Sequence, residues 1–319
     1  MNIFLAGATG VIGRRVVPLL VAAGHRVSAM VHAPEKAVAL TKAGARPMRA
    51  DLFSLESLRR AIAGHETVIN LATHMPIGLK MFLPGAWAEN DRIRREGSAN
   101  LVHAAIAEGV QRFIQESFAP VYPDRGEAWI DETTPIAPVR YNRTVADAEA
   151  ATQRFATGGG IGTVLRFGAF YGPDAWQTRD LVDYVRRGFA PMPGKPSAYV
   201  SSVSHDDAAA AVVAATAAQS GAYNVVDDEP VRHREYFDAM AARLGVAPPR
   251  LPPPWLTFLF GSVGELLARS QRMSNRKLRG ECGWAPRYRS VREGFAAVLA
   301  QVGRAVPVTS DEGPSLSHR

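Results

Sequence analysis

The chain opens with Asn2-Ile-Phe-Leu-Ala-Gly7-Ala-Thr-Gly10-Val-Ile-Gly13, and this stretch decides the fold. An apolar run typical of a buried strand ends in three glycines spaced Gly-x-x-Gly-x-x-Gly, and a helical pattern follows. Gly7 permits a tight turn, Gly10 lets a ligand approach the backbone, and Gly13 lets the helix pack on the strand. The free N–H groups and partial positive charge of a helix N-terminus favour an anion. The stretch therefore predicts a strand–turn–helix unit that holds a dinucleotide pyrophosphate.

Short apolar runs alternate with helical patterns as far as Gly172-Pro173. This alternation predicts the α/β class, with a doubly wound parallel sheet that is covered on both faces. Within it we expect one long helix over Ala88–Glu108 and a strand over Arg112–Gln115. Helical patterns dominate the remainder. The predicted organisation is a dinucleotide-binding domain over 1–172, a smaller and mostly helical substrate-binding lobe over 173–305, and a flexible tail over 306–319.

Composition excludes several classes of protein. The 319 residues are 47% hydrophobic, and the net charge of +7 comes mostly from arginine, without a lysine-rich tract or a nucleic-acid motif. Cys282 is the single cysteine, so an internal disulfide and a cysteine metal cluster are excluded. We expect no signal peptide and no bound metal, and the longest apolar stretch, Trp255–Leu267, is too short to cross a bilayer. The sequence predicts a cytoplasmic protein with a small-molecule substrate and neither a nucleic-acid nor a membrane partner.

Further motifs carry a family resemblance. With the glycine turn, the chain resembles the extended branch of the short-chain dehydrogenase/reductase superfamily, the NAD(P)-dependent epimerase/dehydratase type. The matching segments run almost end to end: Asp51-Leu52, Val68-Ile-Asn70-Leu-Ala72, Gly97-Ser-Ala-Asn100, Ser117-Phe-Ala-Pro-Val-Tyr122, Arg166-Phe-Gly-Ala-Phe-Tyr171-Gly-Pro173, Val203-Ser-His205-Asp-Asp207 and Gly283-Trp284-Ala-Pro286. The resemblance implies a Rossmann fold with cofactor on the N-terminal sheet and substrate in the C-terminal lobe. It also implies a homodimer through helices near Ala88–Glu108 and Thr144–Phe155.

Two sets of binding residues are expected from the motifs and the resemblance. The residues expected at the cofactor are Gly7, Thr9, Gly10, Val11, Ile12, Gly13, Arg14, His32, Lys36, Asp51, Leu52, Leu71, Ala72, Thr73, Tyr141 and Phe167. Those expected at the substrate are Phe118, Tyr122, Phe170 and Trp176. The apolar loop Met75–Trp87 and the apolar segment Trp255–Phe260, a candidate lid, favour an apolar substrate over a bare sugar nucleotide.

The cofactor prediction rests on charge. Relatives that prefer NAD place a carboxylate at the end of the second strand to bind the adenosine ribose. Here that strand ends in Met30-Val31-His32-Ala33, while Arg14 and Arg15 follow the glycine turn and Lys36 lies just beyond the strand. Cations suit a 2′-phosphate. The sequence therefore favours NADP(H), with NAD(H) as the alternative.

The catalytic pattern departs from the family. Its members use a Tyr-x-x-x-Lys pair and a Ser or Thr, but the residue four after Tyr141 is Val145, and Phe118 occupies the usual Ser/Thr position, next to Ser117. The usual Asn three residues before the family glycine is Arg94. A tyrosine without a nearby cation keeps a pKa near ~10 and is a poor base at neutral pH.

Three interpretations of the catalytic set stay open. Tyr141 acts as a proton donor in reduction; or another group acts, with His74 as the best candidate; or the chain performs no hydride chemistry. We expect an NADP(H)-dependent oxidoreductase that acts on a carbonyl or hydroxyl of a small, fairly apolar metabolite, with Tyr141 as proton donor and Ser117 or His74 as orienting group. The alternatives are a non-catalytic NAD(P)-binding sensor or scaffold, and a sugar-nucleotide epimerase or dehydratase.

Overall fold

Seven parallel strands form the central sheet. The computed structural model describes residues 1–31, 34–76, 83 and 85–302. The sheet begins with β1 (Asn2–Ala6), β2 (Arg26–Val31), β3 (Arg46–Arg49) and β4 (Thr67–Asn70), and continues with β5 (Arg112–Phe118), β7 (Ile161–Phe167) and β11 (Gly221–Val225). The strand order is β11-β7-β5-β4-β1-β2-β3, with every pair parallel. This order confirms the predicted doubly wound α/β class.

Helices cover both faces of the sheet. In the first half these are α1 (Gly13–Ala22), α2 (Pro34–Lys42), α3 (Leu55–Ile62), α4 (Ala88–Arg92), α5 (Ser98–Ala107) and α6 (Val145–Thr157). Buried side chains of α1 pack on one face together with those of α8 (His205–Ala214). Buried side chains of α3, α5 and α6 pack on the other face. The strands carry near-continuous apolar residues because both faces are buried.

Helices also predominate in the second half of the chain. They are α7 (Trp176–Arg186), α9 (His233–Leu244), α10 (Gly261–Ala268), α11 (Arg276–Cys282) and α12 (Val291–Val302), and α7, α9 and α12 share a separate apolar core. Short strands accompany them: β8 (Ala169–Tyr171), β9 (Tyr199–Val200), β10 (Ser202–Ser204), β12 (Val231–Arg232) and β13 (Arg272–Met273). Strand β13 pairs with β6 (Trp129–Ile130), which precedes α6 in the chain. The seventh strand of the main sheet, β11, also comes from this half. The domain limits stay a prediction.

Two predicted elements differ from the structure. The expected single helix over Ala88–Glu108 is interrupted, because the five residues Ile93–Gly97 between α4 and α5 form a π-helical turn. Strand β5 extends three residues past the predicted end, to Phe118. Tyr141 occupies a short 3₁₀ turn over Arg140–Asn142.

The described residues contain neither a membrane-spanning helix nor a cluster of metal ligands. No helix in that part of the chain is long and apolar enough to cross a membrane. The same residues contain no group of three or more His, Cys, Asp or Glu side chains arranged to hold a metal ion.

Candidate active site

The glycine turn packs tightly against the end of β4. Gly7 has φ +80°, and a Cβ there would lie 2.6 Å from the backbone nitrogen of Ala72. A Cβ on Gly13 would lie 2.7 Å from the Cα of Ala8. Both contacts are closer than real Cβ atoms approach, so these two positions accept only glycine. Gly10 closes the turn by donating its N–H to the carbonyl oxygen of Gly7 at 3.1 Å.

The same turn presents backbone donors at the start of α1. Thr9 and Val11 are exposed and Ile12 is half-buried. Among the described residues, none accepts a hydrogen bond from the N–H of Val11 or Ile12. Free N–H groups at a helix N-terminus bind a phosphate anion. The residues present therefore fit the pyrophosphate of a dinucleotide.

The segment after β4 is fixed by Asn70, which is fully buried. Its side-chain oxygen accepts the N–H of Ala72 at 3.1 Å, and its amide nitrogen donates to Gln115 Oε1 at 3.0 Å. Leu71 donates its N–H to the carbonyl of Ala6 at 3.0 Å. Thr73 and His74 follow as exposed residues. The segment thus lies beside the glycine turn, where the resemblance places the ribose and pyrophosphate.

A surface cavity of about 340 Å³ adjoins the turn where an adenosine 2′-phosphate would lie. Thr9, Arg14, Glu35 and Lys36 contribute to its lining. Arg14 is ion-paired with Asp174, whereas Lys36 is exposed and forms no ion pair with any described residue. His32 falls outside the described residues. The cavity therefore offers Lys36 as its unengaged cation, with the Glu35 carboxylate beside it.

Asp51 and Leu52 follow β3 at the expected edge of the sheet. Asp51 is exposed and lines a second cavity, of about 360 Å³. Its Oδ1 accepts the N–H of Phe53 at 2.9 Å. Leu52 is buried, and its carbonyl accepts a hydrogen bond from Asn100 Nδ2 at 3.0 Å. The arrangement holds Asp51 at the surface, where the resemblance places the adenine.

Tyr141 is packed against the segment that carries α4. Its ring meets Trp87 edge-on, with the ring centroids 4.5 Å apart. Thr144 donates its hydroxyl to Asp91 Oδ1 at 2.7 Å, which fastens the start of α6 to α4. Val145, at the position of the family lysine, is buried. The lysine of the family's Tyr-x-x-x-Lys pair is therefore absent. A positive charge that acts on Tyr141 must come from another element.

A buried pair of charges, Arg94 and Glu116, acts on the ionisation of Tyr141. Arg94 Nη2 is 3.8 Å from Glu116 Oε1, and the exposed fractions of the two side chains are 7% and 14%. Burial raises the pKa of Glu116, while the Arg94 charge opposes the rise. Burial also raises the pKa of Tyr141 to about 12; the charge of Arg94 lowers it, and those of Glu116 and Asp91 raise it. Tyr141 is therefore protonated at neutral pH.

Ser117 belongs to a different, buried network. Its hydroxyl donates to Glu149 Oε1 at 2.6 Å, and Arg166 forms two hydrogen bonds to the same carboxylate, at 2.9 and 2.7 Å. Arg166 Nη1 donates to the Tyr122 hydroxyl at 2.6 Å, and Tyr122 donates to Asn224 Oδ1 at 2.8 Å. Burial raises the pKa of Tyr122 to about 12. Ser117 and Tyr122 both donate within this network, and their predicted roles toward a substrate stay predictions.

The remaining predicted residues differ in exposure. Phe118, at the end of β5, is half-buried, and Phe170 is 37% exposed. Phe167 is buried, with its ring centroid 5.4 Å from that of Phe170. Trp176 begins α7, and its side chain lies outside the described part of the structure. His74 is held through its N–H, which donates to Asn90 Oδ1 at 3.0 Å, while its side chain is exposed.

Sequence reasoning missed Glu116 and noted Arg94 only as a departure from the family pattern. A partial signal was available, because Glu116 directly follows the predicted strand Arg112–Gln115 and lies within β5, and acidic residues are rarely buried unless paired. The partner was not visible, since Arg94 is 22 positions away and turns inward on the unexpected π-helical turn.

Comparisons with known proteins agree with this geometry. A family profile described as NAD(P)H-binding matches residues 7–219. Over 306 residues the chain is 33% identical to a 3-diazoavenalumate denitrifying reductase of a Streptomyces species, covering 92% of this chain and 99% of the relative. A 2-alkyl-3-oxoalkanoate reductase of Shewanella oneidensis is 24% identical over 297 residues, which cover 86% of this chain and 73% of the relative. The human epimerase family protein SDR39U1, solved with NADPH, superposes with a TM-score of 0.78 at 19% identity, covering 94% and 99%.

The family profile spans well over half of the chain, and the Streptomyces relative matches nearly all of it. Both findings agree with the glycine turn, the strand order and the free N–H groups. The chain belongs to the extended short-chain dehydrogenase/reductase superfamily and is an NAD(P)-dependent oxidoreductase.

Proposed function

We propose that this protein is an NADPH-dependent reductase that reduces the carbonyl of a small, fairly apolar metabolite, with Tyr141 as proton donor. The observation that carries the proposal is the state of Tyr141. Burial raises its pKa to about 12, so the phenol holds its proton at neutral pH. Such a group is a poor base for alcohol oxidation but can donate a proton to a carbonyl oxygen as that oxygen becomes basic. The site thus favours reduction.

The glycine turn and the residues after β4 would hold the cofactor, which supplies the hydride when bound. Val11 and Ile12 would offer their free N–H groups to its pyrophosphate, and Asp51, which lines the cavity after β3, would bind near the adenine. Lys36 is the unengaged cation of the neighbouring cavity, which favours a 2′-phosphate and hence NADPH over NADH. NADH stays the alternative because Glu35 lines the same cavity.

An apolar substrate is favoured by the apolar segment that precedes α10. A 3₁₀ segment over Pro254–Phe260 exposes Trp255, Phe258 and Leu259, each more than 60% accessible. The next element, α10, contacts the turn that carries Tyr141. Clustered exposed apolar side chains are typical of a surface that binds a ligand or partner. We therefore assign Pro254–Phe260 to the cover of the substrate's apolar part.

A second candidate is reductive loss of a diazo group. It is favoured by the 33% identity to a denitrifying reductase together with the missing lysine. Hydride addition to the terminal nitrogen of an aryldiazonium gives a neutral diazene, which releases N₂ and leaves hydrogen on the ring carbon. The acceptor already carries the positive charge, so this reaction requires no proton from Tyr141.

One experiment separates the two reactions. Purified protein receives NADPH and either a panel of aromatic and alkyl ketones or an aryldiazonium carboxylate, and NADPH loss and N₂ release are measured. We expect Tyr141→Phe to lower carbonyl turnover by about 10²-fold or more, the usual contribution of general acid catalysis. Tyr184→Phe, at an exposed tyrosine on α7, is the matched control and leaves turnover unchanged. Turnover with N₂ release that survives Tyr141→Phe supports the diazo reaction, and NADPH binding without loss on any substrate refutes both.

A further inference from the structure

One helical face runs past Tyr141 and carries three functional side chains. Trp87, Asp91 and Arg94 are spaced by four and three residues, which places them on the same side of a helix. Trp87 contacts the Tyr141 ring, and Asp91 accepts the hydroxyl of Thr144. Arg94 follows on the π-helical turn. Such turns insert one residue into a helix and occur often at functional sites.

The Arg94 guanidinium is buried without hydrogen-bond acceptors among the described residues. Its nearest charged partner there is Glu116, at 3.8 Å, which is beyond hydrogen-bond distance. Arginine keeps its positive charge at all relevant pH values and has five N–H donors. A nearly buried guanidinium with free donors can serve an oxygen that arrives or ionises nearby. The positive charge of Arg94 acts on the phenol of Tyr141, whose ring packs against Trp87 on the same helical face.

We propose that Arg94, held by Glu116, supplies beside Tyr141 the positive charge that the family takes from the lysine position now occupied by Val145. The inference deepens the proposed function and rests on it. When the Tyr141 O–H bond breaks, its proton forms the new O–H bond of the substrate, whose carbon receives the hydride. The phenolate left behind is stabilised by Arg94 until water returns a proton. Arg94 is therefore a positioning residue that acts through Tyr141.

The charges that act on Tyr141 have opposite effects on its ionisation, and these effects can be tested. Arg94 favours the phenolate, whereas Glu116 on β5 and Asp91 on α4 disfavour it. Glu149 on α6 acts on Glu116 in the same sense as burial. Loss of the cation and loss of the neighbouring carboxylate must therefore move the ionisation of residue 141 in opposite directions. A pair whose charges do not reach the phenol predicts no such reversal.

The test measures ionisation in the protein without cofactor. 3-Fluorotyrosine, whose phenol ionises at lower pH than that of tyrosine, replaces Tyr141, and its fluorine resonance is followed against pH. Arg94→Met is expected to raise the ionisation pH by about one pH unit or more, Arg94→Lys to restore most of it, and Glu116→Gln to lower it. In the enzyme with natural tyrosine, Arg94→Met lowers kcat while the Kd for NADPH changes less than about twofold.

The matched control is Arg95→Met, which removes the same charge from the next residue of the π-helical turn. Arg95 is exposed and pairs with Asp147 at 3.5 Å, so its loss leaves the ionisation unchanged. Should Arg94→Met unfold the protein, the titration of Glu116→Gln still tests the inference. This variant is expected to fold, because the amide has the same size as the carboxylate it replaces. An unchanged or raised ionisation pH in Glu116→Gln, or equal shifts in Arg94→Met and Arg95→Met, overturns the inference. Because the titration needs no turnover, it holds or fails separately from the proposed reaction.

Discussion

At the scale of single residues, the site separates two buried ion pairs with different geometry. Arg166 and Glu149 form two short hydrogen bonds, and the remaining donors of Arg166 include one bond to Tyr122. Burial disfavours the Arg166 cation, but the hydrogen bonds and charge of Glu149 outweigh it and raise the pKa of Arg166. Arg94 and Glu116 lack such bonds. The first pair is built to hold structure, and the second leaves donors for chemistry.

Glu149→Gln tests the structural role of the first pair. The substitution leaves Arg166 buried without a counter-charge, so we expect the free energy of unfolding to fall by about 3–5 kcal/mol. Urea denaturation at neutral pH measures the loss. Glu56→Gln is the control, since it breaks an exposed pair with Arg60 that contributes at most about 1 kcal/mol. Equal losses in the two variants would contradict this assignment.

At the scale of elements, the glycine turn was predictable because its constraint is local. Three glycines, a preceding strand pattern and a following helix pattern lie within 20 residues, and each glycine has one steric reason. Arg94 and Glu116 were not predictable as a pair, because the π-helical turn that directs Arg94 inward has no local signature. The alternation of strand and helix patterns was enough to predict the parallel sheet. The hydrogen bonding of Ser117 was not predictable in this way, because its partners Glu149 and Arg166 lie on two elements distant in sequence.

Gly10→Ala tests the turn without breaking the fold. A Cβ there meets the carbonyl oxygen of Gly7 at 3.3 Å, a tight but tolerable contact, and the residue has no positive φ. The methyl group would instead obstruct the approach of a phosphate. We expect at least about tenfold weaker NADPH binding by calorimetry, with the thermal midpoint of the free protein nearly unchanged. Gly280→Ala, where a Cβ meets nothing within 4 Å, leaves binding intact. Wild-type affinity for NADPH in Gly10→Ala would show that the glycine turn does not bind the pyrophosphate.

At the scale of the whole molecule, the cofactor turn is tied to the second half of the chain. Asp174 pairs with both Arg14 and Arg15, and Asp206 pairs with Arg15 at 2.7 Å. The last strand of the sheet, β11, also comes from beyond residue 172 and pairs with β7. The arginines after the glycine turn therefore serve partly to join the two halves, and Lys36 is the cation that we propose distinguishes the cofactors. Dimerisation through α4–α6 stays a prediction.

Lys36→Met tests that distinction through the stability of the whole protein. A ligand at 100 times its Kd stabilises the fold by about 2.7 kcal/mol, so unfolding midpoints report affinity. We expect Lys36→Met to weaken NADPH about tenfold, as for loss of one charged hydrogen bond, while NADH is affected less than about twofold. Lys42→Met, at the exposed end of the same helix, changes neither. Equal losses for both cofactors would show that Lys36 does not contact a 2′-phosphate.

The late origin of β11 has a consequence for how the protein is made. On the ribosome, β7 emerges long before Gly221–Val225, so its outer row of N–H and C=O groups waits uncovered while more than 50 further residues are synthesised. During that interval the nascent chain exposes an unpaired strand edge that can pair with other chains and aggregate. Translation speed across this interval therefore bears on how much of the product escapes aggregation.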